Sequence, residues 1–198
     1  MYGFQNEDFL KTLNGAVAQI GEINRIADKV SDLGYKNIYL VGTGGTYAII
    51  SPLAYMLKTN STLVWYHEIA AELLAAKPRS LTRDSLFITA SLSGTTKETI
   101  AAAEYARSMG ATVISFVGDR TAPLAAVSDY VVENAACNDN LVEELHIQFF
   151  CPGSQTDAEK RRVSSVRTVC GNTSEDAGGT VKGAGAERRT STCFCRKA

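Results

Sequence analysis

The residues best suited to chemistry lie in "ITASLSGTTKETI", residues 88–100. Five hydroxyl side chains, Ser91, Ser93, Thr95, Thr96 and Thr99, surround one glycine, Gly94. The stretch hands an apolar, β-like run over to an alanine-rich, helix-like run. At such a hand-over the first helical turn has unpaired backbone N–H groups, and the helix dipole favours an anion. Glycine lets a ligand approach the backbone, while Ser and Thr add donors that rotate to suit it. The combination suits a phosphate monoester held without lysine or metal. The competing explanation, a helix cap, needs one hydroxyl and leaves the others without a role.

A second loop, "GTGGTY" at 42–47, also stands between an apolar run and a helical one. It starts like the dinucleotide fingerprint G-x-G-x-x-G, but Tyr47 occupies the third glycine position, and it does not fit G-x-x-x-x-G-K-[ST]. A nicotinamide site would use Glu68 as its ribose acid, although an exposed Glu at a helix start explains that residue more simply. His67 and His146 are the chain's only histidines. Each suits a structural or solvated position better than a catalytic one. Cys137, within "ACNDN", lacks the neighbouring base or helix end that would make it a nucleophile.

These loops need elements to hold them. Leu10, Leu13, Val17, Ile20, Ile23, Ala27 and Val30 recur at helical spacing, predicting one amphipathic helix that ends near Gly34. Beyond it, strand-like "NIYLV" (37–41), "STLVWY" (61–66), "SLFITA" (85–90), "TVISFVG" (112–118) and "YVVE" (130–133) alternate with helical runs. Those runs are "YAIISPLAYMLK", "HEIAAELLAAK", "KETIAAAEYARSMG", a short "PLAAVS" and a last helix from about Leu141. The alternation predicts an α/β fold: a parallel sheet with helices on both faces. Ligands of such folds bind beyond the carboxyl ends of the strands. Both loops lie at such ends and converge if their strands are neighbours.

A length of 198 residues fits one domain, or one domain plus a tail. The net charge of −1 gives no polyelectrolyte argument for nucleic acid or anionic membrane. No apolar run reaches membrane-spanning length, and "MYGFQNEDFLKTL" lacks the basic and apolar regions of a signal peptide. A cytoplasmic location is the expectation. Residues 151–198 stand apart: they hold no Leu, Ile, Met, Trp or Tyr, but four of the five cysteines and nine basic against five acidic side chains. Such a segment buries too little apolar surface to offset its ordering entropy, so disorder is expected. Its cysteine spacings match no zinc pattern, and no metal or cofactor is expected elsewhere.

Together the two loops resemble the SIS (sugar isomerase) domain family, across residues 35–150. "SLSGTTKET" is similar to the family's S-x-S-G-x-T-x-[DE]-T phosphate loop, with Ser91, Ser93 and Thr96 at the hydroxyl positions beside Gly94 and Thr95. "GTGGTYA" resembles the C-G-[TS]-S first loop, placing Gly44 at its glycine and Thr46 at the sugar-contacting serine. Here Thr43 replaces the cysteine and Gly45 a hydroxyl residue. Glu68 in "HEIAAELL" matches the acid of an S-E-F motif. "VEELHIQFF" resembles the W-E-I-H helix of fructosamine-phosphate deglycases, which would set Glu144 and His146 beside the pocket.

The resemblance is closest to the first SIS domain of fructoselysine-6-phosphate deglycase and glucosamine-6-phosphate synthase. It implies a three-layer αβα sandwich with a five-stranded, flavodoxin-like parallel sheet, preceded by residues 1–34 as a helical segment. The implied ligand is a sugar phosphate or fructosamine phosphate, bound by Gly44, Gly45, Thr46, Ser91, Ser93, Gly94, Thr95 and Thr96. It implies no cofactor, and either a homo-oligomer or paired SIS domains. Isomerases and deglycases of this family move a proton between C1 and C2, which requires a carboxylate base and often a histidine. In double-domain members these come largely from a second SIS domain bearing E-[LF]-x-H-G-P, a motif absent from this sequence. The chain therefore resembles the first half of an enzyme. A shift of reading frame just after Phe150 would account for the change in composition there. The rival reading is a non-enzymatic sugar-phosphate sensor serving a transcription factor. Such regulators carry a longer N-terminal DNA-binding segment than the roughly 35 residues available here.

Overall fold

The fold is that of a computed structural model, which describes residues 6–133. The helix expected from Leu141, the candidates Glu144 and His146, Cys137 and the segment 151–198 lie outside the described residues.

Two helices open the chain, α1 (Asn6–Ala18) and α2 (Ile20–Leu33), where periodicity predicts one. The break is a single residue. Gln19 stays in the right-handed region (φ −80, ψ −10), and its N–H bonds Ala16 one residue short of the helical partner. A switch this small keeps the apolar stripe in phase, so periodicity cannot register it. Ile23, Ile26 and Val30 form the buried stripe of α2, and Gly34 (φ +75) ends the helix as expected.

The five strands are β1 (Asn37–Gly42), β2 (Val64–Ile69), β3 (Ser85–Ser91), β4 (Thr112–Val117) and β5 (Tyr130–Glu133). All pair in parallel, in the order β2-β1-β3-β4-β5. Central β3 is buried along its whole length. That is the expected state of a strand covered on both faces.

Between the strands run α3 (Gly45–Asn60), α4 (Ala70–Ala76), α5 (Lys97–Ser108) and α6 (Pro123–Ala126). One core joins α2 and α3 to Ile38, Leu40, Leu86, Ile88, Ile114 and Phe116 on one face of the sheet. The other joins α4, α5 and α6 to Tyr39, Val41, Phe87, Val113 and Val117 on the opposite face. On α5 the buried residues are Thr99, Ala102, Ala103 and Ala106, whose small side chains let the helix axis approach the strands closely. The three-layer αβα sandwich with a flavodoxin-like strand order is as expected. No described helix is long and apolar enough to cross a membrane.

β2 departs from expectation. It runs from Val64 to Ile69, not 61–66, and α4 is only seven residues long. Ser61 instead turns the chain, its Oγ accepting the Leu63 N–H at 3.0 Å. His67 and Glu68 are thus strand residues rather than the start of a helix. β2 is an edge strand whose residues are at most half-buried, so polar side chains sit in it at little cost.

Candidate functional site

The strand order reverses between β1 and β3, and the helices that follow them leave to opposite faces of the sheet. At such a switch point the two strand-to-helix loops part and leave a crevice above the strand ends. Loops 42–46 and 91–96 flank it. The Thr43 and Thr99 hydroxyls, 3.1 Å apart, tie the first loop to the first turns of α5. Below them Thr89 donates its hydroxyl proton to the Val41 carbonyl at 2.8 Å, joining β3 to β1 at the same end.

In the 91–96 loop the hydroxyls hold one another. Ser91, 3% exposed, accepts the Gly94 N–H at 3.1 Å and lies 3.1 Å from the Thr96 hydroxyl. Ser93, at the exposed tip, accepts from the Thr95 N–H at 3.3 Å and the Thr95 hydroxyl at 2.9 Å. Thr96 is the N-cap of α5, yet its side chain makes no capping hydrogen bond. Capping therefore does not account for these hydroxyls, and the first-turn N–H groups of α5 are not consumed by the cap residue.

The loop after β4 braces this one from behind. Leu92 accepts from the Gly118 N–H at 2.9 Å and Gly94 from the Leu124 N–H at 3.0 Å. Gly94 has φ +62, and a Cβ there would stand 2.4 Å from the Ala122 Cβ. No side chain fits.

In the first loop Gly44 caps α3 with φ +57 and ψ −120, a conformation closed to residues with a Cβ at ordinary cost. Gly45 is different. Its φ is not positive and a Cβ would meet nothing within 4 Å, so neither backbone nor packing calls for glycine. A glycine with open space beside it leaves the backbone accessible to a ligand. Thr46 donates its hydroxyl proton to the Thr43 carbonyl and accepts the Thr43 N–H, both at 3.0 Å. Its one proton is used inside the turn, so toward a ligand Thr46 can only accept.

Glu68 pairs in register with Val41, one residue before the first loop begins, and is half-buried at the carboxyl end of β2. Strand alternation places it on the face of Tyr66, whose ring stacks on Tyr39 at 4.6 Å between centroids. Burial is the main cause that raises the Tyr39 phenol above its usual pKa, with the Glu68 charge adding to the rise. His67 faces the other way. Its ring stacks on Tyr47 (4.0 Å between centroids, planes 7° apart) and its Nε2 lies 3.1 Å from the Tyr47 carbonyl. Burial pulls its pKa below the usual value, against the opposing pull of that hydrogen bond.

The structure thus gathers Gly44, Gly45, Thr46, Ser91, Ser93, Gly94, Thr95 and Thr96 at the two strand ends, with Glu68 alongside. Sequence reasoning missed the Thr43–Thr99 link, the brace from residues 118–124 and the His67–Tyr47 pair. Only the hydroxyl character of Thr43 and Thr99 gave any signal.

The SIS domain model matches residues 34–145. This chain belongs to the SIS domain family. Fructosamine deglycase FrlB of Bacillus subtilis (strain 168) is 34% identical over 98 residues, which are 49% of this chain and 30% of that protein. A Salmonella typhimurium LT2 structure assigned as a phosphosugar isomerase superposes with a TM-score of 0.59 at 24% identity, over 76% of this chain and 42% of that one. The Vibrio vulnificus NanR protein complexed with ManNAc-6P gives 0.55 at 18% identity, over 83% and 56% of the two chains. At these identities both structures show the fold. The chain spans 30% of the length of the deglycase and 42% of the Salmonella protein.

Proposed function

We propose that this SIS domain binds a sugar phosphate across the two loops. In this reading it is the phosphosugar-binding half of an aldose–ketose isomerase or a fructosamine-6-phosphate deglycase. The phosphate sits over the start of α5, taking hydrogen bonds from Ser91, Ser93, Thr95, Thr96 and the adjacent N–H groups. Gly44, Gly45 and Thr46 line the sugar side, and Glu68 orients a sugar hydroxyl from the end of β2. One observation carries this reading: two glycine- and hydroxyl-rich loops meet at a topological switch point, and the cap residue of α5 does not consume the helix N-terminus. The deglycase branch is favoured by the 34% identity to FrlB.

Holding the phosphate positions the sugar but moves no proton. General acid–base groups typically contribute about 10²–10⁴-fold. Glu68, Glu144 and His146 are the candidates within this chain, and a second SIS domain is the other source.

The test is calorimetric titration with fructose 6-phosphate and a fructosamine 6-phosphate, comparing wild type with Ser93→Ala/Thr96→Ala. Loss of two charge-assisted hydrogen bonds should weaken binding by about 3 kcal/mol or more. Because the Thr96 side chain does not cap α5, the double variant should stay folded. Equal affinities in the two folded proteins would reject the site.

A further inference from the structure

The first turn of α3 is weakly held by its own backbone. It opens with two consecutive glycines, and its earliest hydrogen bonds are long: Thr46 N–H to Thr43 carbonyl at 3.3 Å and Ala48 N–H to Gly44 carbonyl at 3.4 Å. Glycine has the most conformational freedom to lose, so a two-glycine start is the least ordered way to begin a helix. Yet this turn carries Gly44, Gly45 and Thr46, and a displacement of about 1 Å is enough to spoil a binding geometry.

A brace comes from the neighbouring edge strand. A carbonyl only accepts, so Nε2 of His67 is the donor to Tyr47, the residue immediately after Thr46. The Ser51 hydroxyl donates to the same carbonyl at 3.2 Å, and the stacked rings fix the lateral position of Tyr47. The contact thus reaches the carbonyl that sits between the loop and the body of α3. With Nε2 as the donor, burial favours the neutral tautomer whose Nδ1 carries no proton.

We propose that His67 is a positioning residue for the sugar. By clamping the Tyr47 carbonyl and ring it holds the Gly44–Thr46 turn in register with the phosphate loop, without touching the ligand. This rests on the phosphosugar reading. It separates two functions of the site, because the 91–96 loop is braced independently, through Gly118 and Leu124. Phosphate capture should therefore survive the loss of His67, while recognition of the sugar should not.

The experiment uses the full chain as wild type, His67→Phe and His67→Gln. Phe keeps a ring to stack on Tyr47 but has no donor; Gln keeps an N–H at the reach of Nε2 but has no ring. Affinities are measured for fructose 6-phosphate and for inorganic phosphate, with thermal unfolding alongside. The expected result is about 3–10-fold weaker fructose 6-phosphate binding by His67→Phe, with inorganic phosphate unchanged and at least half of the loss recovered in His67→Gln. Both variants matching wild type for the sugar phosphate would overturn the proposal. So would parallel losses for both ligands, which would mark His67 as a general packing residue. If wild type binds neither compound, the phosphosugar reading fails first and takes this inference with it.

Discussion

Three glycines of the candidate site should respond differently to one added methyl group, because the fold requires glycine at Gly94 and Gly44 for different reasons and does not require it at Gly45. Gly94 combines φ +62 with a Cβ position 2.4 Å from the Ala122 Cβ and 3.6 Å from a Val117 methyl. The positive φ costs an L-residue about 1–2 kcal/mol. Overpacking a fixed neighbour adds about 1–3 kcal/mol, since the 91–96 and 118–122 loops must separate by about 1 Å to restore ordinary contact. Gly94→Ala should therefore destabilise by about 2–5 kcal/mol. Gly44→Ala meets no atom within 4 Å and carries only the backbone strain of φ +57, about 1–3 kcal/mol. Gly45→Ala meets nothing and needs no unusual φ, so it should be neutral or stabilise by up to about 1 kcal/mol through helix propensity. Urea unfolding of the three variants and wild type gives the ranking, and titration with fructose 6-phosphate gives the second axis. Gly45→Ala is the informative case. A stable protein that binds the sugar phosphate several-fold more weakly is the signature of a ligand lying against that backbone. A stable Gly94→Ala protein with wild-type binding would refute the packing argument, and undiminished binding by Gly45→Ala would remove the ligand's claim on the first loop.

The Thr43–Thr99 link should be worth about 1 kcal/mol, and a double-mutant cycle with Thr43→Val and Thr99→Val should show that coupling; additive effects would mean the loops are held by something else. His67 has its pKa below 6.5 in the folded protein, so the unfolded chain takes up a proton first as pH falls. Stability contributed by neutral His67 is complete above about 6.5 and declines below it until the folded pKa is passed. Urea midpoints measured from pH 7.5 down to 5 should fall with a slope that His67→Gln reduces, and an unchanged slope would show that another group controls this range. Asp84 and Asp119 shift the same way, in a more acidic range: the Lys36 ammonium holds the first below the usual carboxylate range, and hydrogen bonds from Thr121 hold the second. Their contributions are present above the unfolded carboxylate pKa and are lost at more acidic pH, so acid unfolding of Asp84→Asn should lose part of its low-pH phase. Finally, the 198-residue chain should show no turnover of glucose, glucosamine or fructosamine 6-phosphate. A version read one base later beyond codon 150, extended through a second SIS domain, should show it; robust turnover by the short chain would promote Glu68, Glu144 and His146 to catalytic candidates.

Where the sequence was informative, a local rule sufficed; where it was not, the deciding contact lay far along the chain. β1, β3, β4 and β5 fall within a residue of the bounds read from apolar runs, because each is an apolar run flanked by glycine or polar turns. β2 was misplaced because His67 and Glu68 run directly into an alanine-rich helix, and an edge strand tolerates polarity that a central one does not. Alternation of strands and helices fixes parallel pairing but not strand order. Adjacency of β1 and β3 turns two separate loops into one crevice, and only their packing against α3 and α5 reveals it. The same limit explains the individual residues. The sequence offers Gly94 as a point of close approach for a ligand, but what makes glycine necessary there is Ala122, on another loop. That hydroxyls crowd this end was visible too, yet their division of labour was not. Thr46 spends its proton closing its own turn, Thr43 and Thr99 join the loops, and Ser91 holds the bend at Gly94. The hydroxyls closest to solvent, Ser93 and Thr95, bond chiefly to each other, so a phosphate oxygen can replace that contact without disturbing the frame. The site therefore resolves into a scaffold of buried and half-buried hydroxyls and a small exchangeable set at its rim. The rim is where substitutions should change binding without changing the fold.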